Sequence, residues 1–496
     1  MNEEINYSGI NDISHDRYRV RIADFCICLV SFLCSIVFLI ANSKSYCNSI
    51  VLLPALFGVC YLVFAAPIIR RQRSKTMIIV SVCEFLRCVV LSVFTAFSDY
   101  NGFSLYSTND SGLIFHAVML MAWEMIVIFV FLHFYIRNHA IETHEIREIS
   151  LADNRYAIYF IILAGILIYI ASPQIRRYIS FLAISSASEK VRDIEAGGTS
   201  SVFTGLMTFV HNAFLCIFIL VLDTNAKKYQ ANQRRRYAWI ATFMGLITIS
   251  VIFGESRATI IYTLYAVISC LRLKFEKHRN GVLIAVGLTA LAVIVGMTVY
   301  RLFAVYKYSS YSAAIENGGY MGQNYDARFM ESYLLGPQSI AAGIEFKNQY
   351  AGNFSVLRLI FDIFRPFMGF NLILQRFSVT PSITLYNSWL TGVAGRSNGN
   401  FLQITAQGYC YFGFLFAPLF TCVFLWISVK IENWMKKETN LFIYFFLCYV
   451  FIRTSTCVLG GTMSGYITNL SMTFLMCGFF VLLQKLFSSF VRRKRI

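Results

Sequence analysis

The sequence predicts an all-α polytopic membrane protein with about 12 transmembrane helices and one large, partly helical external loop. Of its 496 residues, 57% are hydrophobic and only 14% are charged, whereas a soluble protein carries about 25% charged residues. The hydrocarbon core of a bilayer needs roughly 20 apolar residues per helix, and the chain holds about a dozen such runs. This composition excludes a soluble enzyme, a disordered chain and a nucleic-acid-binding domain.

The order of apolar and basic segments predicts the topology. Basic clusters fill every second gap between the apolar runs, so the positive-inside rule makes those gaps and both termini cytoplasmic. The net charge of +17 therefore reflects membrane orientation rather than a nucleic-acid partner. We expect a single integral membrane domain, residues 1–496. Its predicted spans are 23–41, 50–69, 76–97, 113–136, 156–172, 203–222, 237–253, 258–271, 282–300, 406–429, 440–458 and 467–484.

The first span and the cysteines both fit this class. The run at 23–41 follows basic residues as a signal peptide would, but it is long and lacks a small-residue cleavage site, so we expect it to be retained. Of the 14 cysteines, only Cys47 falls outside the predicted spans. A disulfide framework needs paired cysteines on the oxidising side of a membrane, so none is expected.

Two external loops are long enough to carry function, the smaller at 173–202 and the larger at 301–405. A structureless loop beyond about 15 residues is usually functional or disordered. The larger loop is neither repetitive nor strongly charged, so we expect it to fold. No internal repeat is visible, and this argues against a transporter built from inverted repeats.

Residues 354–370 of the larger loop predict a helix. Arg358, Asp362 and Arg365 are spaced by four and three residues, which puts them on one helical face with apolar residues opposite. This pattern favours an amphipathic helix on the outer leaflet, ended or kinked by Pro366. A packing helix folded over the bundle fits the same pattern equally well.

Two charged residues fall at matching depth inside neighbouring predicted spans. A charge at mid-bilayer costs at least about 2.5–3.5 kcal/mol, so each one is a functional candidate unless it is paired. Arg87 of the third span and Glu124 of the fourth are therefore expected to form an ion pair. Glu84, one helical turn from Arg87, is the competing partner.

Two arginines lie at the predicted outer interface. Arg257 follows Glu255 in the short GESRA hairpin, near the start of a helix whose free amide groups favour anions. Arg453 lies just inside the outer end of the eleventh span. Together they predict an anion site, although a single interfacial arginine is often only a snorkelling anchor.

Histidine and acidic residues offer weaker candidates. His116 and His211 lie in the outer halves of spans, where each could be a base, a hydrogen-bond donor or a satisfied buried histidine. The Asp193–Glu195 pair in the smaller loop is more typical of a solvated helical face than of a metal site. Because no nucleotide-binding or zinc-protease motif occurs, we expect neither a metal nor a cofactor.

These features together suit a lipid-linked diphosphate substrate. Arginine binds phosphate oxygens with two parallel hydrogen bonds and does not lose its charge. Without an ATP site, the energy for a transfer would come from the diphosphate leaving group of the substrate itself. This combination describes a polyprenyl-diphosphate-dependent glycosyltransferase.

On these features the sequence resembles bacterial O-antigen polymerases of the Wzy type, distant relatives of O-antigen ligases. The shared features are about twelve spans, both termini inside, one dominant late outer loop and the Ser-Arg turn of GESRA. The family's loop motif, an Arg followed by Gly after ten intervening residues, fits Arg358 to Gly369. The resemblance implies a multi-pass protein of the bacterial inner membrane with cytoplasmic termini and periplasmic loops.

The resemblance also implies an activity and its partners. Such an enzyme polymerises undecaprenyl-diphosphate-linked O-antigen repeat units at the periplasmic face, transferring the growing glycan onto a new lipid-linked unit. Its partners would be that lipid-linked oligosaccharide, membrane lipid and a chain-length regulator. The candidate residues are, as catalytic groups, Arg257, Glu331 and Glu255, and, as substrate-binding groups, Arg453, Arg358, Arg365, Arg396, Arg87, His116 and His211.

Two alternatives remain open at this point. Related O-antigen ligases rely on a histidine in the large outer loop, and residues 301–405 contain none. A lipid-linked oligosaccharide flippase of the same pathway also has about twelve spans, but we do not expect it to have so long a loop. A glycosyltransferase with its catalytic acid in the first outer loop is disfavoured, because residues 42–49 contain no acid.

Overall fold

The computed structural model describes most of the chain and is mainly α-helical. The described residues are 8–98, 108–139, 149–151, 155–181, 201–253, 257–278, 280–281, 284–288, 330–331, 333–367, 370–374, 376–377, 379–394 and 402–493. Six helices among them, or seven if one bent pair counts as a single span, are long and apolar enough to cross a membrane. The protein is therefore a helical membrane protein. Each of its 14 cysteines, all within the described ranges, is free.

The first bundle is formed by four long helices. Two of them contain π-helical segments, Tyr61–Ala65 and Phe85–Val90, and the second of these contains Arg87. Extra residues of this kind inside α-helices are frequent at functional sites. The four helices are α1 (Ser8–Ala41), α2 (Ser45–Gln72), α3 (Lys75–Phe97) and α4 (Ser111–Asn138).

A second group of helices follows, closed by a short sheet. The strands β1 (Ile179–Phe181) and β2 (Val251–Phe253) pair antiparallel. The sequence does not predict this three-residue pairing, which leaves the fold mainly helical. The helices are α5 (Tyr156–Ala171), α6 (Pro173–Tyr178), α7 (Ser201–Asn232), α8 (Arg235–Ser250) and α9 (Arg257–Lys274).

The described part of the large loop is helical, as the sequence predicts, and it leads into the last four helices. The loop helices are α10 (Pro337–Tyr350), α11 (Val356–Phe364), α12 (Phe370–Leu374) and α13 (Ser382–Ala394). The remaining helices are α14 (Ile404–Phe416), α15 (Leu419–Lys437), α16 (Leu441–Ser455) and α17 (Met463–Arg493).

The described residues form two large hydrophobic cores and one small cluster beside β1. The first joins α2, α3 and α4 to the loop helix α10 and to α14 and α15. The second joins α5, α7, α8, α9, α16 and α17. Glycines allow close helix packing in the second core: a Cβ added at Gly165 would collide with Ala213, and one at Gly245 would lie 2.7 Å from Val267. Such small residues let membrane helices approach closely.

The predicted span at 406–429 is wrong as a single straight helix. Helices α14 and α15 are bent by 105° relative to each other. Gly413 has a φ of +74°, a conformation that other residues rarely adopt, and Pro418 interrupts the helical hydrogen bonding. Gly408 lies so close to the backbone of Ala417 that a Cβ there would clash. The chain therefore folds back on itself where hydropathy alone suggests a continuous span.

Most other predicted spans coincide with helices. The spans at 23–41, 50–69, 76–97, 113–136, 203–222 and 467–484 fall on helices that could cross a membrane by length and composition. Helices α5 and α16 are apolar but shorter, with 16 and 15 residues. The predicted span at 282–300 lies mostly outside the described residues, so the full number of twelve remains a prediction.

Helix α11 separates polar from apolar residues, as the pattern predicts. It begins after Ser355, whose hydroxyl accepts a hydrogen bond from the Arg358 amide, and ends before Pro366. Arg358 and Asp362 both contact residues 380–382, so these two side chains share one face. Asp362 is only 4% exposed, whereas Leu357 is 57% exposed. The face that carries Asp362 therefore packs against the protein.

A buried carboxylate also holds the start of α3. Glu432 of α15 accepts hydrogen bonds from the amides of Lys75 and Thr76, at 2.8 and 3.0 Å, and from the Thr76 hydroxyl at 2.7 Å. Anionic groups are favoured at helix N-termini, where amide groups lack partners. This contact joins the first bundle to α15.

Candidate functional site

The centre of the first bundle holds a buried ion pair. Nη1 of Arg87 lies 2.8 Å from Oε2 of Glu124, and the two side chains are 1% and 0% exposed. Nη1 also lies 3.8 Å from Glu84. The expected Arg87–Glu124 pair is thus present, with Glu84 as a second carboxylate. Such a pair tolerates loss of one partner poorly, because the other charge is then left buried.

The second oxygen of Glu124 extends this network to the bent helix pair. Oε1 accepts hydrogen bonds from the hydroxyl groups of Thr405 in α14 and Thr421 in α15. Nε of Arg87 donates to the carbonyl of Leu335 at 3.1 Å. The pair therefore connects two spans of the first bundle to the large loop and to the fold-back of the chain.

Glu331 lies next to the same loop segment and caps α10. Its Oε1 accepts hydrogen bonds from the Ser339 amide at 2.8 Å and from the Ser339 hydroxyl at 3.1 Å. Burial raises the pKa of Glu331 to about 7, although these hydrogen bonds act in the opposite direction. The carboxyl group can therefore gain or lose a proton near neutral pH, but in this conformation it is covered.

Arg453, in the last turn of α16, is held between two tyrosine rings. Its guanidinium carbon lies 5.2 Å from the ring centroid of Tyr262 and 5.8 Å from that of Tyr466, within the range of cation–π attraction. Its Nε is buried and has no hydrogen-bond partner among the described residues. The rings thus fix the cation and leave a donor uncommitted.

The turn after α16 brings Arg453 close to the Glu331 segment. A Cβ added at Gly460 would lie 3.7 Å from the carbonyl oxygen of Tyr333 and 3.8 Å from Leu335. The hydroxyl of Tyr466 donates to the carbonyl of Gly460. Three predicted site residues, Arg87, Glu331 and Arg453, therefore lie beside two segments that touch, residues 333–336 and 456–461.

Helix α9 connects the last residues of the GESRA segment to this region. Helix α9 begins at Arg257, and Tyr262, whose ring contacts Arg453, follows five residues later. At 1.5 Å per residue this separation is about 7.5 Å along the helix axis. The side chain of Arg257 and the whole of Glu255 lie outside the described residues, so their contacts are not part of the observed geometry.

The two loop arginines of α11 differ in their contacts. Arg358 donates from Nε to the carbonyl of Thr380 at 2.9 Å and from Nη1 to the carbonyl of Asn353, so its guanidinium stabilises the loop. The Arg365 side chain is half-buried and makes no hydrogen bond or ion pair within the described part of the chain. The next residue, Pro366, accepts a hydrogen bond from Thr468 of α17. Arg365 therefore lies near the start of α17, which also carries Tyr466.

Sequence reasoning missed the network around Asp362. This carboxylate accepts hydrogen bonds from the Ser382 amide at 3.1 Å, the Tyr411 hydroxyl at 2.6 Å and Nε2 of Gln407 at 3.3 Å. The network joins α11 to α13 and α14. The partners lie 20 to 49 residues away along the chain, so no local pattern indicates them. The one available signal is a single acid between two arginines in a mostly apolar stretch.

The remaining candidates lie apart from these turns. The ring of His116 is 5.4 Å from that of Tyr409, and Lys347 donates to the carbonyl of Tyr409 at 2.8 Å. His211 is 3% exposed and hydrogen-bonds to the backbone of Val251 in β2. Arg396 lies outside the described residues. No group of three or more potential metal-ligating side chains occurs among those that are described.

The fold and these contacts define a helical membrane protein with buried charges at helix junctions and an arginine positioned by aromatic rings. Comparisons with protein-family models, with curated proteins and with solved structures give no match for this chain. Its function is therefore argued from the residues and their geometry.

Proposed function

We propose that this protein is a polyprenyl-diphosphate-dependent glycosyltransferase of the O-antigen polymerase type. It would polymerise undecaprenyl-diphosphate-linked O-antigen repeat units at the periplasmic face of the bacterial inner membrane. The observation that carries the proposal is Arg453, whose guanidinium lies over the rings of Tyr262 and Tyr466 and whose buried Nε has no hydrogen-bond partner among the described residues. A fixed cation with a free donor is what binding of a diphosphate headgroup requires.

The surrounding residues supply further anion-binding groups. Helix α9 begins at Arg257, where free amide groups favour a phosphate. Arg365 has a guanidinium that no described residue engages, and it lies near the start of α17. Arg358 is used by loop carbonyls, so we assign the diphosphate to Arg453, Arg257 and Arg365 rather than to Arg358.

The proposed reaction is a glycosyl transfer without a metal. A hydroxyl group of the incoming repeat unit attacks the anomeric carbon of the growing glycan, and the bond from that carbon to the diphosphate oxygen breaks. The electron pair leaves with undecaprenyl diphosphate, which the arginines stabilise. The hydroxyl proton passes to a carboxylate, with Glu331 and Glu255 as candidates. Glu331 would first have to release Ser339.

The test is chain growth in membrane fractions supplied with lipid-linked repeat units. A hydrogen bond to a charged group contributes about 1.5–3 kcal/mol, so Arg453→Ala should lower polymerisation at least about tenfold at unchanged abundance. Arg453→Lys should rescue it only partly, because it loses the bidentate geometry. Arg272→Ala, which removes an exposed arginine at the other end of α9, is the matched control. Full activity of Arg453→Ala would exclude this site.

One observation favours a second candidate, a lipid-linked oligosaccharide transporter. The 105° break between α14 and α15 is the kind of discontinuous helix that many transporters use at their binding sites. The same assay distinguishes the functions by product. A polymerase lengthens the glycan, an O-antigen ligase moves it to lipid A core, and a transporter changes its side of the membrane without changing its length.

A further inference from the structure

An open groove lies far from the arginine site, between the start of α8 and the segment after α9. Its volume is about 530 Å³. The lining residues that concern its chemistry are Arg235, Trp239, Glu276, Lys277, His278 and Asn280. Neither the proposed reaction nor any residue discussed above uses this groove.

The groove and the arginine site are at opposite ends of one helix pair. Helix α8 starts at Arg235 in the groove, and α9 runs from Arg257 to Lys274 before the groove segment. The 18 residues of α9 give a length of about 27 Å, close to the hydrocarbon thickness of about 30 Å. Because the sequence predicts a span at 258–271, we expect the groove at the membrane surface opposite the arginine site.

The groove combines basic groups with an apolar surface. Arg235 and Lys277 contribute two positive charges against the single carboxylate of Glu276. Beside them on α8, Trp239 is 55% exposed and Phe243 is 64% exposed. Tryptophan is enriched where headgroups meet acyl chains. A ligand suited to this surface has an anionic head and an apolar tail.

We propose that this groove binds the headgroup of an anionic glycerophospholipid. The phosphodiester accepts hydrogen bonds from Arg235 and Lys277, a headgroup hydroxyl donates to Glu276, and an acyl chain lies along Trp239 and Phe243. Basic pockets between membrane helices recognise anionic headgroups in this manner. The phosphate chemistry is shared with free inorganic phosphate, which has no tail to occupy the apolar surface.

The experiment is native mass spectrometry of the full-length protein titrated with phosphatidylglycerol, phosphatidylcholine or inorganic phosphate. The wild type should retain phosphatidylglycerol in preference to the other two. The double variant Arg235→Ala/Lys277→Ala lacks two basic groups, each of which adds about 1 kcal/mol to the binding of an anionic lipid. Its retention of phosphatidylglycerol should therefore be about 30-fold weaker than that of the wild type. The control is Lys228→Ala/Arg272→Ala, which removes the same charge from exposed positions outside the groove.

The control separates a built site from general charge attraction. Equal loss of phosphatidylglycerol in the two double variants would overturn the proposal, and so would retention of phosphate as tight as that of the lipid. Because all four residues are exposed, both variants should unfold at the wild-type temperature, which thermal unfolding in detergent checks. The result does not depend on glycosyl transfer, so it stands or fails separately from the proposed function.

Discussion

Replacing Arg87 with methionine should destabilise the protein strongly. Methionine keeps an apolar chain of similar reach but removes the charge, leaving Glu124 at 0% exposure without its cation and Glu84 beside it. Breaking a buried ion pair by removing one partner costs about 3–5 kcal/mol. We expect a loss of that size in unfolding free energy, with a clear fall in the amount of folded protein.

Replacing Glu124 with glutamine should lower the free energy of unfolding less than replacing Arg87 does. Glu124→Gln leaves Arg87 with Glu84 at 3.8 Å and the Leu335 carbonyl at 3.1 Å, and glutamine can still accept from Thr421. In the double variant the coupled charges leave together, so its loss should be smaller than the sum of the two single losses.

Denaturant titration of the purified proteins in detergent measures the free energy of unfolding of the wild type and of all three variants. Lys227→Met is the control, because Lys227 is 50% exposed and its partner Asp223, at 3.3 Å, keeps Arg155 at 2.7 Å when Lys227 is replaced. Ion pairs exposed to solvent contribute about 0–1 kcal/mol. If Arg87→Met proves no less stable than Lys227→Met, the energetic argument for the buried pair is refuted. Normal abundance with lost activity would instead give Arg87 a role in the reaction.

Three further predictions concern proton binding, a turn and topology. Because burial raises the pKa of Glu331 to about 7 from an ordinary 4.5, its contribution to stability is greatest below pH 4.5 and is lost as pH rises through 7. As pH rises from 4.5 to 8, the free energy of unfolding of Glu331→Gln should therefore increase by about 3 kcal/mol relative to that of the wild type. Unfolding experiments at each pH measure this difference. Gly461→Ala should destabilise the protein by at least about 1 kcal/mol, since φ is +124° and the new Cβ would lie 2.6 Å from the Tyr466 ring; an unchanged unfolding temperature contradicts this. Reporter fusions at Asn348 should report the outside and fusions at Gln233 the cytoplasm, and a cytoplasmic Asn348 would also exclude the proposed reaction.

The sequence predicts the helices well where the signal is local. Hydropathy locates long helices such as 113–136, and Pro366 locates the end of α11. Hydropathy fails at 406–429, because the bend at Gly413 and Pro418 leaves the hydropathy of the run unchanged. The close approach of Gly408 to the backbone of Ala417 at this bend is likewise invisible to hydropathy. The two-stranded sheet is also missed, because strands of three residues are too short to produce a recognisable sequence pattern.

The candidate site is predictable only in part. The cost of a charge in the membrane is enough to predict that Arg87 pairs with Glu124. The tyrosine rings on Arg453 could not be predicted, because Tyr262 and Tyr466 come from helices far apart in the chain. The hydrogen-bond partners of Asp362 could not be predicted either, because they reach it from α13 and α14, and a helical-face argument considers only its own helix.

Three buried carboxylates described above cap helices other than their own. Glu432 binds the first amides of α3, Glu331 binds an amide at the start of α10, and Asp362 binds the first amide of α13. Because these carboxylates are buried, dissolved salt screens their attraction to the amides much less than it screens the attraction between exposed charges. Raising the salt concentration should therefore leave these joints intact while it screens the attraction between arginines near the membrane surface and an anionic lipid. Ionic strength thus becomes a means of testing the proposed lipid binding on a protein that stays folded.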